Sequence, residues 1–128
     1  MRLLLDTHTL VWVMNSDPRL GRAARAAIAS PTNQAFVSAA TVWEASIKFQ
    51  LGKFPEAALL VDHPSKVLRS LDIEGLPISL EHARLAGSFV SKHKDPFDRM
   101  LAAQALLEGL ILVSVDPIFD GLAVQRLW

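Results

Sequence analysis

Asp6, Glu44, Asp98 and Asp116 are the side chains with which this sequence could do chemistry. Each stands beside a change from a short apolar run to a helical segment. Asp6 follows Leu3-Leu4-Leu5, and Asp116 follows Leu110-Ile111-Leu112-Val113-Ser114-Val115. Asp98 falls in the first turn of a helix opened by Asp95-Pro96, and Glu44 in the second turn of a helix that follows Ala35-Phe36-Val37. Singly, each acid has a plain structural explanation. Asp95 has the residue type of an N-cap, Pro96 suits the first helical position, and Asp98 at N3 lies near the positive end of the helix dipole. Asp116-Pro117 repeats the cap-plus-proline pattern, and Glu44 precedes Lys48 by four residues, the spacing of an exposed helical ion pair. None of these explanations accounts for a shared position.

The elements that would position the acids follow from periodicity. Arg2–Leu5 and Leu110–Val115 are continuous apolar runs too short for helices, so they read as buried strands of a parallel sheet. Ala35–Val37, the very short Leu76–Ser79 and Val124–Trp128 complete the strand set, with Pro77 marking an edge or a strand start. Helical segments are expected over Thr7–Met14, Leu20–Ile28, Ala39–Leu51, Val67–Leu71, Leu80–Val90 and Pro96–Glu108, the last closed by Gly109. Trp43, Ile47 and Leu51 form an apolar stripe on the third of these segments. Alternation of this kind predicts an α/β fold with a mostly parallel central sheet flanked by helices on both faces, and one domain spanning residues 1–128. In such a sheet, functional groups gather beyond the carboxyl ends of the strands. Asp6 and Asp116 end strands there, and the helices carrying Glu44 and Asp98 begin at the same edge.

Several carboxylates held together repel and raise one another's pKa unless a cation sits among them. Hard oxygen donors without a His or Cys array point to Mg²⁺ or Mn²⁺. A centre of this type suits phosphodiester hydrolysis, in which the metal polarises the phosphate and activates water. Ser38, Ser79 and Ser114 lack an adjoining base motif, and there is no Gly-rich phosphate loop. The chain has no cysteine, which excludes disulfides and thiolate metal sites and suits a cytoplasmic protein. No apolar run reaches the roughly 20 residues needed to span a bilayer, and Asp6 comes too early for a signal peptide. Formal net charge is zero, so a polyanionic partner must be met by local basic patches and by metal.

With these residues in view, the chain resembles the PIN-domain ribonucleases, and within them the VapC toxins of bacterial toxin–antitoxin pairs. The resemblance rests on Leu3-Leu4-Leu5-Asp6-Thr7-His8, on Ser38-Ala39-Ala40-Thr41-Val42-Trp43-Glu44, on His93-Lys94-Asp95-Pro96-Phe97-Asp98-Arg99-Met100-Leu101, and on Leu112-Val113-Ser114-Val115-Asp116 with a terminal Leu127-Trp128. It implies a PIN-like fold and Mg²⁺- or Mn²⁺-dependent endonuclease activity on RNA, with Asp6, Glu44, Asp98 and Asp116 as the catalytic and metal-binding quartet. It also implies a homodimer and neutralisation by a cognate antitoxin. Thr7 and Ser114 are expected as hydroxyls backing the acids; Ser114 departs from the threonine that many relatives carry. Asp95 is assigned to capping. Arg19, Arg22, Arg25, Lys92, Lys94 and Arg99 are the candidate RNA contacts.

Three other readings compete. A receiver domain would need an acidic pair near the first strand and a lysine after a late one. A haloacid-dehalogenase-type phosphatase would need a second acid where His8 stands. A catalytically silent acidic docking module would have no need of metal-ligand spacing.

Overall fold

Leu3, Leu4 and Leu5 are all fully buried, which for consecutive residues of a strand requires apolar cover on both faces of the sheet. The computed structural model, which describes residues 1–128, supplies that cover. Five strands, β1 (Arg2–Leu5), β2 (Gln34–Ser38), β3 (Glu74–Leu76), β4 (Ile111–Val113) and β5 (Arg126–Leu127), form one sheet in the order β3-β2-β1-β4-β5. Every pairing is parallel. Leu3, Leu5, Ala35, Val37 and Val113 face a core completed by α1 (Thr7–Met14), α2 (Arg22–Ala29), α3 (Ala39–Gln50), α4 (Ala58–Asp62) and α5 (Pro64–Ser70). Leu4, Phe36 and Leu112 face a second core built with Leu101, Ala102 and Ala105 of α7 (Pro96–Glu108), on which α6 (Leu80–Ser88) packs. Burying a leucine in either core is worth roughly 1.5–3 kcal/mol.

The strand order places the site. From β1 the chain steps outward through β2 to β3, then returns to the other side of β1 as β4 and β5. The direction of winding therefore reverses between β1 and β4, and beyond the carboxyl ends of these two neighbours a crevice opens. Asp6 follows β1, its amide bonded to the Val113 carbonyl of β4 at 3.2 Å.

Several expected bounds shift. The third strand is Glu74–Leu76, just ahead of Pro77, because pairing with β2 needs amide groups that proline lacks. It is an edge strand, one of the two positions Pro77 suggested, although Pro77 itself follows the strand and does not start it. β4 stops at Val113, and Val115 is exposed. The Trp43, Ile47 and Leu51 stripe does not enter the core: all three are exposed, while α3 buries Ala40, Thr41, Glu44 and Ala45 instead. No helix is long and apolar enough to cross a membrane.

The helix α7 has the bounds that its signals prescribe. Asp95 Oδ1 accepts from the amides of Phe97 and Asp98 at 2.9 and 3.2 Å, and Gly109 closes the helix at φ 65°. A Cβ at Gly109 would touch nothing within 4 Å, so Gly109→Ala should be penalised by backbone strain alone. The expected loss is about 1 kcal/mol in urea unfolding with an unchanged m-value; an unshifted midpoint would remove the left-handed cap from the account.

Candidate functional site

Each of the four acids is anchored by the element that carries it. Asp6 is the N-cap of α1: its Oδ1 accepts from the Thr9 amide at 2.9 Å, and its side chain is buried at the foot of β1. Ser38 ends β2 and caps α3 through the Ala40 amide. That start aims Glu44 inward one turn later, where it is only 5% exposed. Its Oε1 accepts from the Thr7 hydroxyl at 2.6 Å and its Oε2 from the Lys48 ammonium at 2.7 Å. Asp98 Oδ2 lies 2.8 Å from His93 Nε2. Asp116 is exposed, and its Oδ1 caps the 3₁₀ turn Pro117–Leu122 through the Ile118 amide.

Asp6, Glu44, Asp98 and Asp116 line one cavity of about 490 Å³, together with Asp95, Lys48 and His8. Asp6 and Asp98, ninety-two residues apart in the chain, thus share a single wall-to-wall space. Burial and crowding of charge both show at Asp98. Burial first, and then the charges of Asp95 and Glu44, push its pKa up to about 6 against the opposing bond from His93. Asp95 therefore has two effects: it caps α7, and it stands close enough to burden Asp98.

The donor set fits a hard divalent cation. Asp6 Oδ2, Asp98 Oδ1 and Asp116 Oδ2 accept no hydrogen bond from the chain, and no thiolate is present to favour a softer ion. In the conformations seen, no three of the acids are drawn close enough to grip one ion together. Each carboxylate is instead turned onto a donor of its own. Glu44 has both oxygens engaged and is the least free of the four.

The expected hydroxyls serve in different ways. Thr7 bonds the Glu44 carboxylate directly, whereas buried Ser114 accepts from the Asp116 amide at 3.1 Å and so holds the backbone of that acid. None of the six basic residues proposed from the sequence lines the acidic cavity. Arg99 donates to the carbonyls of Ala86, Phe89 and His93, tying the segment before α7 to the helix. Arg19 is paired with Asp17, and Arg25 bonds the Asp17 and Leu20 carbonyls. Lys94 and Arg99 instead border a neighbouring apolar groove with Trp43, Phe97 and Met100. Sequence reasoning missed His93 and undervalued Lys48. The Glu44–Lys48 spacing was visible, but only packing buries the carboxylate.

The sequence model of the PIN domain family matches residues 3–125. No curated protein matches the sequence. Among solved structures, the fold is similar to VapBC2 of Rickettsia felis, crystallised bound to a DNA fragment from its promoter (TM-score 0.71, 16% identity, covering 99% of this chain and 98% of that one). It is similar to FitAcB of Neisseria gonorrhoeae (0.65, 22%, 100% and 97%). It is also similar to VapC20 of Mycobacterium tuberculosis, a sarcin–ricin-loop-cleaving toxin (0.67, 16%, 95% and 95%).

The raised pKa of Asp98 has a stability consequence. The folded chain holds this proton more tightly than an unfolded one, whose carboxyl titrates near 3.8. The charged form weakens the fold, so this stabilising contribution grows as pH falls through about 6 and is complete below about 4. In EDTA, Asp98→Asn should be more stable than wild type by roughly 1–3 kcal/mol above pH 6, with the gap closing below pH 4. Parallel stability curves over this range would refute this account of Asp98, in which burial and neighbouring charge both disfavour its ionised form.

Proposed function

Because the chain belongs to the PIN-domain family, we propose that it is a divalent-metal-dependent endoribonuclease and the toxin of a bacterial toxin–antitoxin pair. The observation that carries this reading is the meeting of Asp6, Glu44, Asp98 and Asp116, from four separate segments, on one cavity at the point where the sheet reverses direction. The likeness of fold to VapC20, a sarcin–ricin-loop-cleaving toxin, supports it. In this reading residues 1–128 form one nuclease domain that works in the cytoplasm on RNA.

Asp6 and Asp98, less exposed than Asp116 and each lining the cavity with one oxygen that no protein donor claims, would be the direct ligands of Mg²⁺ or Mn²⁺. Asp116 is next, and Glu44, with both oxygens engaged, acts through water. Bound there, the metal supplies a Lewis acid for the phosphoryl oxygen and a water of lowered pKa. The chain's own residues do the positioning. Thr7 and Lys48 fix Glu44, His93 orients Asp98, and the α1 cap fixes Asp6. Such anchoring keeps the oxygens in place before substrate arrives, which is where electrostatic catalysis gains most. The exposed Trp43, Ile47 and Leu51 stripe supports a homodimer. A cognate antitoxin that offers basic side chains to the acidic cavity would compete with metal there.

Three experiments test the reading. Total cellular RNA should be cut by wild type in Mg²⁺ but not in EDTA, and not by Asp6→Asn or Asp98→Asn, whose thermal melting should equal or exceed that of wild type. Expression of wild type alone should arrest growth; intact RNA and normal growth would falsify the nuclease and toxin assignments respectively. Separately, Mn²⁺ at tenfold above its Kd should stabilise the fold by about 1.4 kcal/mol, a rise of a few degrees in Tm. EDTA should reverse the rise, and Asp6→Asn/Asp98→Asn should lack it. Melting indifferent to Mn²⁺ would favour the docking-module reading.

A further inference from the structure

An RNA strand is a polyanion, and the cavity it must enter is lined by Asp6, Glu44, Asp95, Asp98 and Asp116. Among the lining residues only Lys48 carries a full positive charge. His8 also lines it, with its ring packed between Trp12 and Phe54. The arginines nearby are committed elsewhere: Arg99 to three backbone carbonyls, and Arg126 to Asp120 and the Ser114 carbonyl.

Lys48 differs from an ordinary i, i+4 surface pair. Its partner Glu44 is buried to 7% side-chain exposure, while the lysine side chain keeps 37%. Glu44 is itself pinned on its other oxygen by Thr7, so the carboxylate is a fixed post to which the ammonium is tied. An ammonium has three donors, and Glu44 takes one at 2.7 Å. The remaining two have no acceptor in the chain. A cation so placed carries no side-chain search cost when an anion arrives, because its rotamer is already held.

We infer that the Lys48 ammonium contacts a phosphate of the RNA strand in this cavity, with Glu44 as the residue that positions it. The inference rests on the nuclease reading above and adds to it the residue that receives the substrate. It gives Glu44 a second task besides any share in metal binding. It also moves the substrate contact from the six basic residues outside the cavity to one inside it.

The test is steady-state cleavage of one single-stranded RNA oligonucleotide in Mg²⁺, across about 50–200 mM KCl, by wild type, Lys48→Met and Lys48→Arg. Lys48→Met should raise KM about tenfold, beyond whatever fall in kcat follows from loosening Glu44, and should lower the slope of log(1/KM) against log[salt] by about 0.7, the share of one phosphate on a single strand. Lys48→Arg should restore most of both. Wild-type KM and slope in Lys48→Met overturn the inference, as does a loss confined to kcat, which would leave Lys48 as a counter-ion of Glu44 only. Since Lys48→Met leaves a buried carboxylate unpaired, a second comparison avoids that cost. Binding of the same oligonucleotide in EDTA is measured for Glu44→Gln and for Glu44→Gln/Lys48→Met. Weaker binding by the double variant supports the inference, and equal affinities overturn it. Should wild type cleave no RNA at all, the nuclease reading fails, and this binding comparison still decides the role of Lys48.

Discussion

Mutual repulsion among carboxylates at the β1–β4 crevice is the constraint to which the rest of the site answers. Five acids line a cavity of about 490 Å³, and like charges at such quarters cannot all ionise cheaply without a cation. The chain offsets the repulsion locally. Amides at the start of α1 and of the Pro117–Leu122 turn hold Asp6 and Asp116, a hydroxyl and an ammonium hold Glu44, and an imidazole holds Asp98. What remains unbalanced is concentrated on Asp98, whose pKa is held up first by burial and then by the charges of Asp95 and Glu44, despite His93. The tension is therefore stored where it can be relieved by protonation or by a divalent ion.

The same few contacts serve folding and chemistry together. Asp6 caps α1 while lining the cavity, and Asp95 caps α7 while crowding Asp98. Caps of this kind are worth about 1 kcal/mol each, comparable in size to the penalty of grouping the charges. A helix start at the carboxyl edge of a parallel strand supplies amide donors where acids collect, so the fold compensates the site with groups it already has. Arg99 extends this economy. By bonding three carbonyls of the segment that leads into α7, it fixes the span bearing His93 and Asp95 and is thereby unavailable as a surface cation.

Buried polar groups elsewhere are nearly all satisfied. His82 completes a capping box with Ser79 and reaches Glu108 at 2.8 Å. Gln104 Oε1 is the one buried side-chain acceptor without a partner, on α7 and away from the acidic cavity. The α3 surface shows the opposite imbalance, with Trp43 edge-on to Phe97 at 5.0 Å and both Ile47 and Leu51 facing outward. Apolar side chains in such a row are commonly covered by another molecule.

Local physics was legible without coordinates wherever a signal acts over one turn. The bounds of α7 follow from Asp95, Pro96 and Gly109, the β1 strand from three leucines ended by an acid, and the α/β class from the alternation of such pieces. The common edge of the four acids could be argued from parallel topology alone. What the chain could not disclose in one dimension was strand order, and hence that β1 and β4 are neighbours flanking the reversal. Nor could spacing say which side of α3 faces inward: the Trp43 stripe has helical periodicity, yet the small Ala40 and Ala45 beside Glu44 allow the closer approach to neighbouring elements. Basic residues were equally ambiguous, because whether an arginine meets solvent or a carbonyl depends on how the adjoining loop folds back on its helix, as the span before α7 does onto Arg99. Periodicity and caps are properties of neighbours along the chain; burial, pairing and charge crowding are properties of neighbours in space, and only packing assigns those.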